Sequence, residues 1–185
     1  MSGLTNIKIF DSFISAVIVC KPPHIERENM GRKTALVKIS GDLHQRRDVI
    51  EWVRKLSAEY FTVVLVGGGT QINEAFKKAG LPIREHGPLG RETETFEESQ
   101  LARDVLERNQ EQVQDLLAER GVMATVVIPV LDIGSVLCHI NGDIFILTAY
   151  LGFDKIFVLT YEDRVKAKRR ALGKYPKIKV VGFSN

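Results

Sequence analysis

The fold class this 185-residue chain predicts is α/β, a three-layer αβα sandwich with a mainly parallel sheet. Three observations carry that expectation. Apolar runs of strand length alternate with amphipathic helix-length segments from residue 34 onward, the pattern of β-α-β units joined by right-handed crossovers. The run Phe61–Val66 is apolar on both faces, as a central parallel strand covered by helices on both sides must be. Gly67, Gly68 and Gly69 stand where that run hands over to a helix. Glycine there needs a reason, because it weakens regular structure by about 0.5–1 kcal/mol against alanine.

The elements follow in order. Residues 1–33 stand apart as an N-terminal extension to a single domain over 34–185. In the extension Ile7, Phe10, Ile14, Val17 and Ile18 fall at helical spacing, so 5–19 reads as an amphipathic helix or, from its β-branched content, a strand. Lys21-Pro22-Pro23 stops it. Thr34–Ile39 reads as a buried strand and Ser40-Gly41-Asp42 as a turn, with Asp42 as N-cap of a helix through about Tyr60. Val49, Ile50, Trp52, Val53 and Leu56 make that helix's apolar stripe. After Phe61–Val66 a helix runs from Thr70 or Gln71 to Lys78 and ends at Gly80. The loop 81–90 precedes a helix from Thr93 to about Arg120, with an acidic first turn and a candidate break near Asn109. Val122–Ile128, Val136–Ile140, Ile156–Leu159 and Lys179–Gly182 read as strands, and Ile144–Gly152 has helical spacing.

Composition narrows the class. Hydrophobic content of 44% and charged content of 26% are those of a globular domain, long enough to bury a stable core. Cys20 and Cys138 are far apart in apolar runs and read as reduced core residues of an intracellular protein. The best apolar run, Phe13–Cys20, falls short of the ~20 residues a bilayer span needs, and it lacks the flanks of a signal peptide. The expected location is the cytoplasm. Four histidines show no ligand spacing, so no metal site is expected. Between Arg164 and Lys179 there are eight Lys or Arg and no acid, a run that is either a phosphate-holding surface or a solvated one. With a net charge of only +3, nucleic acid is not the expected partner.

In a parallel sheet, ligands bind beyond the carboxyl ends of the strands. Three glycines there leave backbone N–H groups unshielded, beside the partial positive charge of a helix N-terminus. The segment is no P-loop, because no Gly-Lys-Ser/Thr follows, and the dinucleotide fingerprint would need its third glycine at Ile72. Lys38 lies in the first strand before Ser40-Gly41. An ammonium in an apolar strand must reach the strand's end or find a partner, so Lys38, Gly41 and Gly67–Gly69 predict one positive, backbone-rich mouth.

These residues resemble the amino acid kinase family, and within it acetylglutamate kinase. VKISG (37–41) resembles the family's opening lysine-glycine strand, and VGGGTQINEAFKKAGL (66–81) its triple-glycine turn and helix. GRETETFEE (90–98) resembles the segment that recognises the acyl-amino-acid substrate. RNQEQVQDLLAERGV (108–122), INGD (140–143) and KIFVLTYEDRV (155–165) resemble its asparagine-led helix, its Asn-Ala-Asp motif and the Leu-Thr-Asp strand of its nucleotide half. The resemblance covers roughly 34–166. It implies transfer of the γ-phosphoryl of ATP, with Mg2+ bridging the phosphates, to a small carboxylate- or phosphate-bearing metabolite. Such transfer needs positioning and positive charge. By the resemblance Lys38 neutralises the moving group and Asp143 orients that lysine. Gly41, Gly67, Gly68 and Gly69 donate backbone N–H bonds, Arg91 clamps a substrate carboxylate and Asn141 contacts the acceptor. Thr160, Asp163 and Lys166 serve the nucleotide. A homo-oligomer, or a hetero-oligomer with a partner subunit, is also implied.

The chain departs from the family in four places. The middle section is compressed to Val122–Ile140, and His139 stands where an asparagine is expected. Leu159-Thr160-Tyr161-Glu162-Asp163-Arg164 lacks the aspartate and glycine of Leu-Thr-Asp-x-x-Gly. The closing segment with the second catalytic lysine has no counterpart, so Lys166 or Lys168 is the candidate for its place. A compact kinase with a reduced nucleotide half is therefore the first expectation. A catalytically silent member that binds a metabolite or nucleotide, or serves as a partner subunit, is the second.

Overall fold

β-Branched and aliphatic runs at Thr34–Ile39 (β1), Phe61–Val66 (β2) and Lys155–Tyr161 (β6) form the centre of a five-stranded parallel sheet. Thr125–Val127 (β3) and Ile178–Phe183 (β7) close its edges, in the order β3-β2-β1-β6-β7. The computed structural model describes residues 31–84 and 86–184. The N-terminal element expected over 5–19, and Cys20, lie outside the described residues.

Alternation along β1 sets the layers. Ala35, Val37 and Ile39 enter one cluster with Val49, Ile50 and Val53 of α1 (Arg47–Ser57) and Val113 and Leu117 of α3 (Phe96–Ala118). Leu36 enters the opposite cluster with Leu65, Val158, Ile146 of α4 (Gly142–Thr148) and Leu172 of α5 (Glu162–Leu172). Helices thus cover both faces, giving the three-layer αβα sandwich. The chain steps one way from β1 to β2 and the other way from β6 to β7. Right-handed crossovers then require α1 and α5 on opposite faces, where they lie. Between β1 and β6 the direction of travel reverses, and a crevice opens outside the carboxyl ends at such a point.

Several boundaries differ from the sequence expectation. Asp42 is not an N-cap: Gly41–Leu43 forms a 3-10 turn, and α1 begins only at Arg47. The Asp42 carboxylate instead meets Arg164 Nη1 at 3.5 Å. α2 spans Gly69–Ala79 and ends at Gly80, whose φ of 71° is a conformation that favours glycine. Thr95, not Thr93, caps α3: its side chain accepts from Glu98 N–H, and Glu98 Oε2 accepts from Glu94 N–H at 2.7 Å. α3 runs unbroken through Asn109 for 23 residues. The strand expected over 122–128 pairs only at Thr125–Val127.

Two elements went unread. Val130–Ile133 (β4) pairs antiparallel with Val136–His139 (β5) across Gly134 and Ser135, both at positive φ. That is the backbone of a tight two-residue hairpin. Cys138 therefore sits half-buried in a hairpin strand as a free thiol, not in the core. Helix α5 carries the first half of the basic run, whose charges have separate partners. Lys168 meets Asp143, and Lys177 Nζ donates to Tyr150 O and Phe153 O at 3.3 and 2.9 Å. Among the described residues no helix is long and apolar enough to cross a membrane.

Candidate functional site

The glycine turns after β1 and β2 meet at the carboxyl edge of the sheet. A Cβ on Gly41 would lie 3.1 Å from Gly68 Cα and N, and one on Gly68 would lie 2.7 Å from Asn109 Nδ2. These glycines are therefore explained by close approach: φ of Gly68 is −166°, ordinary extended backbone. Gly67 differs, since its Cβ would meet nothing nearer than 3.8 Å. Its bareness leaves backbone open to the crevice.

The peptide carbonyls of these turns, which would repel an anion, are held by side-chain donors. Gln71 Nε2 donates to Gly41 O at 3.2 Å, His44 Nδ1 donates to the same oxygen, and Asn109 Nδ2 donates to Gly67 O at 3.2 Å. Gly67 N–H makes a long bond to Ile39 O at 3.4 Å. The N–H groups of Gly41, Gly68 and Gly69 donate to no backbone acceptor outside the regular elements. All three glycines line the crevice at the start of α2, where the helix dipole adds positive charge.

Lys38 extends from the α4 face of β1 to the same edge. Its Nζ lies 3.2 Å from Asp143 Oδ1, while Lys168 Nζ, one and a half turns into α5, donates to Oδ2. One carboxylate thus holds two ammonium groups side by side. Burial pushes the Lys38 ammonium below the ordinary lysine range. Asp143 partly offsets this, and the neighbouring charges of Lys168 and Arg164 add to the lowering. Burial alone would raise Asp143, but Lys38 and Lys168 outweigh it and hold its carboxyl below the usual carboxylate range. Asp143 is in turn set by Asn141, the N-cap of α4, whose Oδ1 accepts from Asp143 N–H at 2.8 Å. The packing is close: a Cβ on Gly142 would lie 3.1 Å from Lys38 Cε.

Arg91 closes the other side of the crevice. Its Nη2 donates to Asn73 Oδ1 at 2.7 Å and to Gly69 O at 3.4 Å, and its guanidinium carbon stands 5.3 Å over the Phe76 ring. Nε is buried with no hydrogen-bond partner. Among the described residues no carboxylate pairs with Arg91 within 4.0 Å. The neighbouring glutamates serve Arg84 instead, which contacts Glu94 at 2.8 Å and Glu98 at 2.7 Å. His139 donates from Nε2 to Ser99 O at 3.0 Å, which places its proton on Nε2. Burial pushes it below the ordinary histidine range. Thr160, fully buried at the end of β6, has a hydroxyl with no partner.

The result is a crevice of about 370 Å³. Lys38, Gly41, the triple glycine, Arg91, Asn141 and Thr160 all line it, with Asp143 anchoring its lysines. Asp163 and Lys166 do not line it: both sit on exposed positions of α5. Lys168, half-buried, and Arg164, exposed at the rim, line it instead. Four basic side chains face two carboxylates, Asp42 and Asp143, so the site favours an anion. Sequence reasoning gave no site role to Gln71 or Asn109 and read Arg164 only as the start of a basic run. The helix after β6 was the missing signal: it turns Arg164 and Lys168 onto one side and Lys166 onto another. A larger, shallow depression of about 760 Å³ beside α1 is lined by charged side chains, of which Arg46 pairs with Asp48 and Arg54 with Glu51. It brings no glycine turn and no strand end to one place.

No family model matches the chain, and no curated protein sequence matches it. Among solved structures, smu.665 from Streptococcus mutans UA159 is similar over 69% of this chain and 72% of its own, at a TM-score of 0.54 and 15% identity. That likeness shows the fold alone.

Proposed function

We propose that the chain is an amino acid kinase-like phosphotransferase. It would move the γ-phosphoryl of Mg-ATP onto a small carboxylate- or phosphate-bearing metabolite, in the manner of acetylglutamate kinase. The observation that carries this reading is Asp143 holding Lys38 and Lys168 together beside the glycine turns at the reversal point of the sheet. An acceptor oxygen attacks phosphorus, the bond to the β-phosphate oxygen breaks, and ADP leaves. The chain's part is positional and electrostatic. Lys38 and Lys168 offset charge on the transferring oxygens, the bare N–H groups of Gly41, Gly68 and Gly69 donate to them, and Arg91 holds the acceptor's anionic group. Among the described residues no group of three or more His, Cys, Asp or Glu could hold a metal ion. Magnesium would come with the nucleotide's phosphates and supply further positive charge there.

A second reading, a member that binds metabolite or nucleotide without turnover or acts as a partner subunit, draws support from Asp163 and Lys166. Their exposed positions leave the β6–α5 corner with Thr160, Arg164 and Lys168 alone. Incubation with Mg-ATP, a panel of small carboxylates and hydroxylamine separates the two. Hydroxamate formed with one carboxylate, and lost in Lys38→Ala, supports the kinase. Nucleotide binding with no hydroxamate and no ADP release from any acceptor supports the silent member.

A further inference from the structure

The crevice uses only part of the basic run over 164–179. Lys168 and Lys177 take partners within the molecule. Lys166, Arg170 and Lys174 are exposed, and among the described residues none has an ion-pair partner within 4.0 Å. Lys166 and Arg170 stand one turn apart on α5, away from the buried Val165 and Leu172, and Lys174 follows just past the helix end. Asp163 stands at the start of this stripe. Helix α3 carries the opposite charge. Ala102, Leu106, Asn109, Val113 and Leu117 define its inner side, and Glu97, Asp104, Glu107, Glu111 and Asp115 stand exposed on the other. Arg103 pairs with Asp104 and Glu107, and Arg108 is exposed beside them, so acids stay in excess. The acidic face is presented rigidly: Gln110 Nε2 donates to Val126 O at 2.6 Å and Gln114 Nε2 to Ala124 O at 3.0 Å, which fastens the helix along the β3 edge.

We propose that the outward face of α5 in one copy of this chain docks on the outward face of α3 in the next. The occupant is a second copy because each face finds its complement on the same chain: a basic stripe on the layer that packs with α4 and an acidic stripe on the layer that packs with α1. Neither face can pair with itself across a two-fold axis, since like charges would then oppose each other. A polyanion such as nucleic acid is disfavoured by the charge balance. The net charge is only +3, and the field that draws a phosphate backbone to α5 is countered by α3. Because α3 and α5 lie in opposite layers, two copies cannot make both contacts with each other, so the contact is head-to-tail and extends to further copies. Exposed charge pairs bind weakly and are screened by salt, which makes the association reversible and salt-sensitive. The inference is independent of the proposed function, because neither stripe lines the crevice.

The test is sedimentation equilibrium of the full chain over a concentration series, at about 0.02 M and about 1 M salt. In low salt the weight-average mass should climb with concentration past that of a dimer. In high salt, where the screening length is ~3 Å, it should return to that of one chain. Two variants sharpen the test. Arg170→Glu with Lys174→Glu turns the α5 face acidic, and Glu111→Lys with Asp115→Lys turns the middle of the α3 face basic. All four positions are exposed, so the fold is retained. Each variant alone should associate at least about tenfold more weakly than the wild type, and an equimolar mixture should associate again, because each reversed face then meets its complement. A wild type that stays a single chain in low salt, an association that survives high salt, or a mixture no stronger than its parts overturns the proposal. A wild type that stays a single chain yet binds a duplex oligonucleotide, with binding lost only in the α5 variant, also overturns it and assigns that face to a polyanion.

Discussion

At the scale of the residue, Asp143 is worth more to the site than either lysine it holds. Removing one partner of a buried pair leaves an uncompensated charge and costs about 3–5 kcal/mol. Lys38→Met leaves Asp143 still paired with Lys168, whereas Asp143→Asn leaves two ammonium groups facing each other. Thermal denaturation should therefore rank Asp143→Asn as the more destabilising change, by about 2 kcal/mol or more. The opposite order would mean that Lys168 does not share the carboxylate. The pH behaviour follows from the same cluster. Asp143 is held below its ordinary value of 3.8, so its contribution to stability is present above that value and is lost as pH falls through the lower folded one. Lys38 is held below 10.5. The unfolded chain then binds the proton more readily, and stability rises with pH between the folded value and 10.5. Anion binding runs the other way, because it needs the ammonium: affinity for sulfate, whose own charge is constant over this range, should fall with rising pH before an ordinary lysine would lose its charge. Titration of sulfate affinity against pH, in the wild type and in Lys38→Met, measures this. Arg91 came only from the resemblance of residues 90–98, whereas Lys38 and Gly67 were legible in the sequence because each breaks a local rule, a charge in a strand and glycines at a strand end. Asp143's double pairing was not, since its second partner lies 25 residues away in the chain.

At the scale of the element, the two glycine turns separate packing from ligand contact. Gly68→Ala drives a methyl into Asn109 and Leu106, and overpacking of this kind costs about 1–3 kcal/mol. Gly67→Ala meets nothing within 3.8 Å, so it should melt with the wild type yet weaken phosphate binding, because its methyl stands over open backbone. Equal melting temperatures for the two variants would contradict the close contact of the turns. Thr95→Ala removes the cap of α3 and should cost about 1 kcal/mol with anion affinity unchanged. Strands β1 and β2 were readable to the residue, since buried parallel strands are short apolar runs between turn signals. The start of α3 was read at Thr93 because threonines at 93 and 95 both stand before acids, and only the bond from Glu98 N–H marks Thr95 as the cap. The hairpin β4–β5 carried its signal in Gly134-Ser135 between apolar runs. Helix α5 was hidden by its charge: a segment with six Lys or Arg between Arg164 and Lys174 looks like surface, although Val165 and Leu172 anchor it to the sheet.

At the scale of the whole molecule, the strand order does what no single motif can. Placing β1 between β2 and β6 brings the glycine turns, Thr160 and the first turn of α5 to one edge. Residues far apart in sequence then gather positive charge at that edge. The order of strands is set by long-range pairing and is not encoded in any local pattern, whereas Lys166 and Lys168 could not be told apart beforehand because the helix that separates them went unread. The most direct measurement of the central claim is calorimetric titration of Mg-ATP and ADP into the wild type, Lys168→Ala and Lys166→Ala. Binding by the wild type, weakened at least about tenfold in Lys168→Ala, the loss of one charge-assisted contact, and unchanged in Lys166→Ala, is the predicted result. No binding by the wild type at millimolar nucleotide, or equal losses in the two variants, would contradict it.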